Sequence, residues 1–271
     1  MVSRKQAPHG SRGSPGRDTR ITGQPIHFFG ARMDAAAASR SRFFLYMTVV
    51  FLVIAVAGFS TTFLVPLAHG NFSAPTVIHV HGILLFGWLA FLILQSALIQ
   101  GRQFTLHRQL GVAGGGLCAA IVISGVLVGL HATRRDLADG ANDFVLGQFV
   151  NILIEMALFG TMVAAAIAVR RDRESHKRLL VLATISALAP AWLRLRHLLP
   201  GVPNPFVTFS LLADSLLLLV IARDWIALKR IHPVYLWVGS AMVGVHVIEL
   251  LAIRSALWIT TARWLLGEPA G

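Results

Sequence analysis

The sequence is poor in charged residues and contains a single cysteine. Only 13% of its 271 residues are Asp, Glu, Lys or Arg, well below the ~25% typical of soluble domains. Cys118 cannot form a disulfide within the chain, and no cysteine-based metal motif is possible. The sequence also lacks a nucleophile motif, a nucleotide-binding loop and a large hydrophilic domain. Any activity is therefore expected to lie among the apolar segments or at their ends.

Long apolar blocks dominate the sequence. Hydrophobic residues make up 55% of the chain, and several blocks exceed the roughly 18 residues that indicate a membrane-spanning helix. The seven blocks are residues 43–66, 76–100, 109–131, 144–169, 178–198, 206–222 and 233–253. Pro190 interrupts the fifth block, and Gly125 and Gly129 in the third have the spacing that permits close helix packing. The sequence predicts an all-α polytopic membrane helix bundle, with a seven-helix transmembrane domain over residues 43–253.

The two segments that flank this domain differ from it in composition. Residues 1–42 are rich in Arg, Ser, Gly and Pro, and we expect them to form a disordered basic cytoplasmic arm. Met33, within that arm, is a candidate for the start of translation in place of Met1. Residues 254–271 contain Trp258 and Trp264, and we expect them to form an amphipathic tail at the membrane interface.

The basic residues are distributed unevenly along the chain. The net charge is +12, and eighteen of the twenty-four Lys and Arg residues lie in four segments, residues 1–42, 101–108, 170–178 and 223–230. These segments fall on one side of a seven-helix bundle, which predicts a multi-pass protein of the bacterial inner membrane with a cytoplasmic N-terminus. No basic stripe is interleaved with aromatics, so we expect no nucleic-acid binding. The expected partners are the lipid bilayer and a second membrane protein.

Four predicted helices carry polar side chains in the half farther from the N-terminal arm. They are His81 in the second block, Gln148, Asn151 and Glu155 in the fourth, Asp214 in the sixth, and His246 and Glu249 in the seventh. At about 1.5 Å per residue, most of them lie at similar depths, with Glu155 near the middle. Ionisable groups inside a membrane helix are costly and usually mark a functional site. We therefore expect these side chains to converge inside the bundle.

Other polar residues lie outside this layer. Gln95 is fourteen residues after His81, so both are expected on one face of the second helix. Arg194 lies at the rim of the layer. His107 and His176 lie at the ends of helices on the arginine-rich side, together with His232, which we interpret as an interfacial residue.

Three stretches carry a family resemblance. The first comprises His79–His81, Gln95 and Leu106–Gly111, the second is the arginine-rich loop Arg170–Arg178, and the third is Trp192–Arg196. In order and spacing they resemble a bacterial family of predicted multi-pass membrane proteins, the domain-of-unknown-function 2306 type.

The resemblance covers roughly residues 76–200. Leu179 departs from the family, in which many members have tryptophan at the corresponding position. The resemblance implies a membrane fold and draws attention to His81, His107, His176 and Arg194. It implies no activity, because the family is functionally uncharacterised.

The histidines favour a redox protein that binds haem b or another metal. Bis-histidine ligation requires two imidazoles at matched depth on facing helices, a condition that His81 and His246 meet, and Arg194 is placed to pair with a haem propionate. His107 and His176 form a second candidate pair. The alternative is a non-haem metal site built from His81, His246, Glu249 and Asp214, since imidazole and carboxylate suit zinc, iron or copper.

Two further functions remain open, and so does the question of whether the chain is an enzyme. In a proton-coupled transporter of a small solute, Glu155 and its acidic neighbours would relay protons, and Gln95, Gln148 and Asn151 would line a polar pocket. The absence of an internal repeat counts against that hypothesis. In an accessory or assembly subunit of a membrane complex, the polar groups would be hydrogen-bonded contacts between helices.

Overall fold

The computed structural model describes the backbone of residues 26–267 and the side chains of residues 42–267. The chain divides into two compact units, residues 1–38 and 39–271. Of the first unit, the structure describes residues 26–38, which are helical and belong to α1 (Ile26–Phe59). Residues 26–42 were expected to be disordered, but the structure gives them as helix. Alanines such as those at Ala35–Ala38 have the highest helix propensity. Residues 1–25 of that arm lie outside the described residues.

The second unit is built from helices, and no strand occurs within residues 26–267. A π-helical turn, Ser60–Leu64, connects α1 to the short α2 (Val65–Ala68). The next helices are α3 (Thr76–Gln100), α4 (Phe104–Ala138), α5 (Phe144–Ala168), α6 (Arg173–Ala187), α7 (Ala189–Arg194) and α8 (Pro205–Leu228). A second π-helical turn, Tyr235–Gly239, leads into α9 (Ser240–Ala252), and α10 (Ala256–Leu266) ends the described chain.

Seven helical segments among the described residues are long and apolar enough to cross a membrane. They are Arg42–Ala68, Thr76–Gln100, Phe104–Ala138, Phe144–Ala168, Arg173–His197, Pro205–Leu228 and Tyr235–Ala252. The predicted all-α, seven-helix membrane domain is confirmed, because each segment coincides with one apolar block. The inner membrane and the cytoplasmic N-terminus stay predictions.

Successive spans alternate in direction, so the connecting loops gather at two ends of the bundle. We call the end formed by residues 101–103, 169–172 and 229–234 the arginine-rich end. The other, formed by residues 69–75, 139–143 and 198–204, is the opposite end.

The fifth span, Arg173–His197, is the central helix of the bundle. Within its apolar window 56% of the residues are buried, against 17–33% in the other six spans. Because neighbouring helices shield this span from lipid, it tolerates polar residues that a lipid-facing helix would not. Its helix is interrupted at Leu188, between α6 and α7, and Pro190 lies two residues later. The interruption predicted at Pro190 is thus confirmed.

Glycines allow α4 and α5 to pack closely. A Cβ atom at Gly125 would lie 2.3 Å from the Sδ of Met156, and one at Gly129 would lie 2.7 Å from the Cγ2 of Ile152. A larger residue at either position would require the side chain of Met156 or Ile152 to shift. The two glycines therefore serve helix packing, as their spacing predicted.

A buried ion pair connects α6 and α8 near the arginine-rich end. The Nε and Nη2 atoms of Arg178 donate to both carboxylate oxygens of Asp224 at 2.8 and 2.9 Å. The two side chains are 0% and 1% exposed. The sequence had placed Asp224 in a loop after residue 222, but α8 continues to Leu228. It can do so because Arg178 neutralises the buried carboxylate.

The predicted C-terminal tail forms α10, which packs on the start of α5. The indole N–H of Trp258 donates to the carbonyl of Leu146 at 2.8 Å, and Ala262 is fully buried in the same small cluster. Arg263 pairs with Asp143 at 2.5 Å. Much of the tail's apolar face therefore contacts protein, while residues 268–271 lie outside the described residues.

Candidate functional site

Four side chains of the predicted polar layer come together in the structure. The Nδ1 of His246 on α9 donates to the Oδ1 of Asp214 on α8 at 2.8 Å. The Nε2 of the same ring lies 3.3 Å from the Oε1 of Glu155 on α5. Glu249 lies one turn after His246 and is buried. A fifth residue, Ser186 on α6, donates its hydroxyl hydrogen to the Oε2 of Glu155.

A close crossing of two helix backbones places Glu155 opposite His246. A Cβ atom at Gly147 would lie only 2.1 Å from the carbonyl oxygen of Ile253, so glycine is required where α5 meets the end of α9. The two helices run in opposite directions. Glu155 follows Gly147 by eight residues and His246 precedes Ile253 by seven, so both lie about 11 Å from the crossing.

The cluster carries more negative than positive charge. The side chains of Glu155, Asp214 and His246 are only 12–17% exposed. Among the described residues, no lysine or arginine forms an ion pair with the carboxylates of Glu155, Asp214 and Glu249. Since burying an uncompensated charge is costly, the arrangement calls for bound protons or a cation.

The hydrogen bond to Asp214 determines which nitrogen of His246 is available. An ionised carboxylate can only accept, so Nδ1 carries the hydrogen and Nε2 of the neutral ring presents a lone pair. Nε2 is buried and makes no aligned hydrogen bond within residues 42–267, although Glu155 is near. Glu249 also has a buried Oε1 without a hydrogen-bond partner in that range. With the ring neutral and the carboxylates ionised, these acceptor atoms face one another with no protein hydrogen between them.

Three of these residues have the geometry of a metal-ligand set. One ligand atom each from Glu155, His246 and Glu249 lies within 4.8 Å of the other two. One imidazole and two carboxylates suit a divalent transition metal. Asp214 occupies the position of the outer carboxylate that commonly orients a metal-bound histidine.

His81 lies elsewhere, between α3 and α4. The hydroxyl of Ser124 donates to the carbonyl of Ile121 at 3.1 Å, so the Nδ1–H of His81 donates to the Ser124 oxygen at 2.9 Å. Gly125 leaves room for the ring, because a Cβ there would lie 3.2 Å from its Cε1. His81 does not belong to the three-residue ligand group found among the described residues.

Arg194 is also separate from the ligand group. Its guanidinium lies over the ring of Phe59, 4.5 Å from the centroid, and its Nη1 donates to the carbonyl of Pro190 at 3.1 Å. It lies close enough to His81 to act on that ring electrostatically. Asp214 pairs with His246 and not with Arg194.

His107 and His176 lie together near the arginine-rich end, close enough to interact electrostatically. The Nδ1–H of His176 donates to the carbonyl of Ala166 at 2.7 Å. That carbonyl is in the last turn of α5, where the helix itself supplies no donor, so His176 serves as a cap. The Nδ1 of His107 is buried without a hydrogen-bond partner in residues 42–267.

The amide residues of the predicted pocket are dispersed along two helices. Gln95 on α3 is buried, and neither atom of its amide has a partner among the described side chains and backbone. Asn151 and Gln148 lie one and two turns from Glu155, toward the opposite end, and are half-buried. The Oδ1 of Asn151 likewise has no hydrogen-bond partner in that part of the chain.

Ser186 and Ser124 were not singled out from the sequence. Hydroxyl residues are frequent in membrane helices, where they usually bond to their own backbone, as Thr184 does to the carbonyl of Leu180 at 2.8 Å. No sequence signal separates a serine that bonds to a carboxylate from one that bonds to its own helix.

Two loop residues near the arginine-rich end have altered acidity. Asp172 caps α6, and hydrogen bonds from the Ser175 hydroxyl and backbone N–H hold the pKa of the carboxyl below its usual value. Partial burial, followed by the nearby Arg178, lowers the pKa of His232. Its neutral Nδ1 accepts a hydrogen bond from the N–H of Val234 at 3.3 Å. Both groups stabilise local structure, in keeping with the interpretation of His232 as interfacial.

Comparisons of the chain with protein-family models, with curated proteins and with solved structures found no match, so the resemblance to the domain-of-unknown-function 2306 family stays a prediction.

Proposed function

We propose that the chain is a membrane protein with a non-haem metal centre, in which Glu155, His246 and Glu249 bind a divalent transition-metal ion. The observation that carries the proposal is the pairing of His246 with Asp214, which leaves a buried Nε2 lone pair facing two carboxylates. A divalent cation would satisfy these acceptors and offset most of their negative charge. Three protein ligands would also leave a coordination position for a substrate or water, as in catalytic metal sites.

Among the metal hypotheses, the non-haem variant is better supported than haem b. Bis-histidine haem ligation needs a second imidazole opposite His246, whereas His81 is hydrogen-bonded to Ser124 on another pair of helices. The carboxylates of Glu155 and Glu249 are typical ligands of iron, manganese and zinc. We expect redox chemistry if the ion is iron or manganese, and Lewis-acid chemistry if it is zinc.

Metal content tests the proposal directly. The full chain, purified in detergent without chelator, should contain close to one equivalent of a transition metal by elemental analysis. The variants His246→Gln and Glu249→Gln should lose it. His81→Gln is the matched control, because it replaces another membrane histidine outside the ligand group and should retain the metal.

Cobalt provides a second readout. Protein stripped with chelator and loaded with Co²⁺ should show visible bands that disappear in Glu249→Gln. A metal-free protein that binds no added Co²⁺, Zn²⁺ or Mn²⁺ would refute the proposal. A haem spectrum that is lost in His81→Gln would also refute it, in favour of the bis-histidine alternative.

A proton-coupled transporter is the second candidate. It is favoured by the chain from Ser186 through Glu155 and His246 to Asp214, in which protons could satisfy the same acceptors. The helix break at Leu188 lies two residues from Ser186 and offers a hinge. Proton uptake by proteoliposomes that is lost in Glu155→Gln, in protein without bound metal, would favour this function.

A further inference from the structure

Arg194 is a charged residue of the fifth span without a carboxylate partner. It lies three residues before the end of that span at His197. No Asp or Glu among the described residues comes within 4.0 Å of its guanidinium. Arginine cannot lose its proton in a protein, so the charge persists. An unneutralised arginine within a membrane helix usually marks a functional site.

The contacts of Arg194 fix the guanidinium but leave donors available. Phe59 packs against its face at 4.5 Å, and the carbonyl of Pro190 accepts one hydrogen bond. A guanidinium has five N–H donors. Among residues 42–267 the remaining donors have no acceptor.

Two more unused donors lie on the same pair of helical segments. The indole Nε1 of Trp192 and the hydroxyl of Thr62 are both buried and have no hydrogen-bond partner in the described part of the chain. Buried polar atoms nearly always have a partner, either protein, water or ligand. Donors without acceptors therefore recur on both of these segments.

The packing of α1 against α7 places Thr62 and Arg194 at one level. A Cβ atom at Gly58 would lie 2.1 Å from the carbonyl oxygen of Ala191, so the two backbones touch there. Both segments run toward the opposite end. Thr62 follows Gly58 by one turn and Arg194 follows Ala191 by nearly one turn, which brings them to the same depth.

Both segments are also irregular at this point. Thr62 lies in the π-helical turn Ser60–Leu64, and α7 begins just after the break at Leu188. π-Helical turns within α-helices occur frequently at functional sites. Because the two irregular segments meet beside an unpaired arginine, a binding site explains them better than a packing defect does.

We propose that Arg194 and Thr62 form a binding site for a phosphate group at the opposite end of the bundle. Both side chains offer donors, and the guanidinium fork matches the geometry of phosphate oxygens. The site lies about 5 Å inside the end of the span, a depth that a phospholipid head group or a free phosphate ion can reach. It is distinct from the metal-ligand group, to which Arg194 does not belong.

Native mass spectrometry and thermal unfolding of the full chain in detergent test this site. The two probes are dioleoyl phosphatidic acid and inorganic phosphate. The wild-type protein should bind one of them with a raised melting temperature, and Arg194→Gln should weaken that binding at least tenfold. Arg196→Gln is the matched control, because Arg196 lies two residues away and donates to the carbonyl of Leu193 at 3.0 Å.

Each outcome bears on the proposal. Binding of phosphatidic acid alone identifies a lipid head group, and binding of inorganic phosphate identifies a free ion; both support the site if they depend on Arg194. If Arg194→Gln does not fold, Thr62→Val removes one donor with little change of shape and should weaken binding several-fold. Binding of neither probe, or equal losses in Arg196→Gln, would overturn the proposal.

Discussion

The Nδ1 of His246 lies 2.8 Å from the Oδ1 of Asp214, which is thirty-two residues earlier in the chain and on another helix. This contact fixes the orientation of the imidazole and directs Nε2 toward Glu155. Its role in a metal centre would be to raise the basicity of the ligand and hold it in place.

Replacing Asp214 with asparagine should weaken metal binding without removing a ligand. We expect the affinity for Co²⁺ to fall about ten- to a hundredfold, the range found for residues that orient metal-bound histidines. Competition with a chelator measures the change. Asp136→Asn is the control, because Asp136 pairs with its exposed neighbour Arg135 and should leave affinity unchanged. Equal Co²⁺ affinities in the wild type, Asp214→Asn and Asp136→Asn would show that Asp214 does not act on the site.

Replacing Gly147 with alanine should separate α5 from α9. The new Cβ would meet the carbonyl oxygen of Ile253, a backbone atom that cannot rotate away. We expect a loss of about 1 to 3 kcal/mol in the free energy of unfolding, together with weaker metal binding. Gly87→Ala has nothing within 4 Å of its Cβ and should stabilise helix α3 by up to about 1 kcal/mol. Reversible unfolding in mixed detergent distinguishes the two, and similar effects at both positions would contradict the close crossing.

Removing one member of the pair Arg178–Asp224 should be worse than removing both. Arg178→Met leaves the buried Asp224 with Arg223 alone, and Asp224→Leu leaves the buried Arg178 with Glu174 alone. Each single variant should therefore cost up to about 3 to 5 kcal/mol. The double variant should recover part of that loss, because it removes both of these almost fully buried charges. If the free energy of unfolding lost in the double variant equals the sum of the losses in the two single variants, the two residues do not interact.

Acidification should destabilise the loop around His232. The folded-state pKa of His232 lies below its usual value of 6.5, so the unfolded chain binds the proton more readily. Stability is therefore full above pH ~6.5 and declines as the pH falls toward the folded-state pKa. His232→Asn should reduce the fall in melting temperature between pH 7 and pH 5, whereas His69→Asn, at the opposite end, should not. An identical pH profile for His232→Asn and wild type would exclude this contribution.

Part of the candidate site could be predicted from the sequence because lipid rejects polar groups. Asp214, His246 and Glu249 interrupt otherwise apolar blocks at similar depth, with Glu155 nearer the middle, which indicates that they face inward. The pairing of His81 with Ser124 could not be predicted in the same way. Depth along a helix says nothing about which neighbour that helix packs against.

The arginine-rich end was predicted less completely. The hydropathy of residues 223–230 favours a loop, because a charged run normally leaves the membrane. Asp224 is nevertheless buried in α8, since Arg178 of the central helix neutralises it. Neither of the two segments, taken alone, predicts this ion pair.

The sequence by itself determined the seven spans, their alternating direction and the polar layer. Each depends on the local length and composition that a bilayer requires of one helix at a time. Only the tertiary structure decided that the fifth span is central and that His246 meets Asp214 and Glu155 rather than His81. The order of helices around a bundle depends on side-chain packing between segments far apart in the chain, and the glycine contacts at Gly58, Gly125 and Gly147 set which of them can approach.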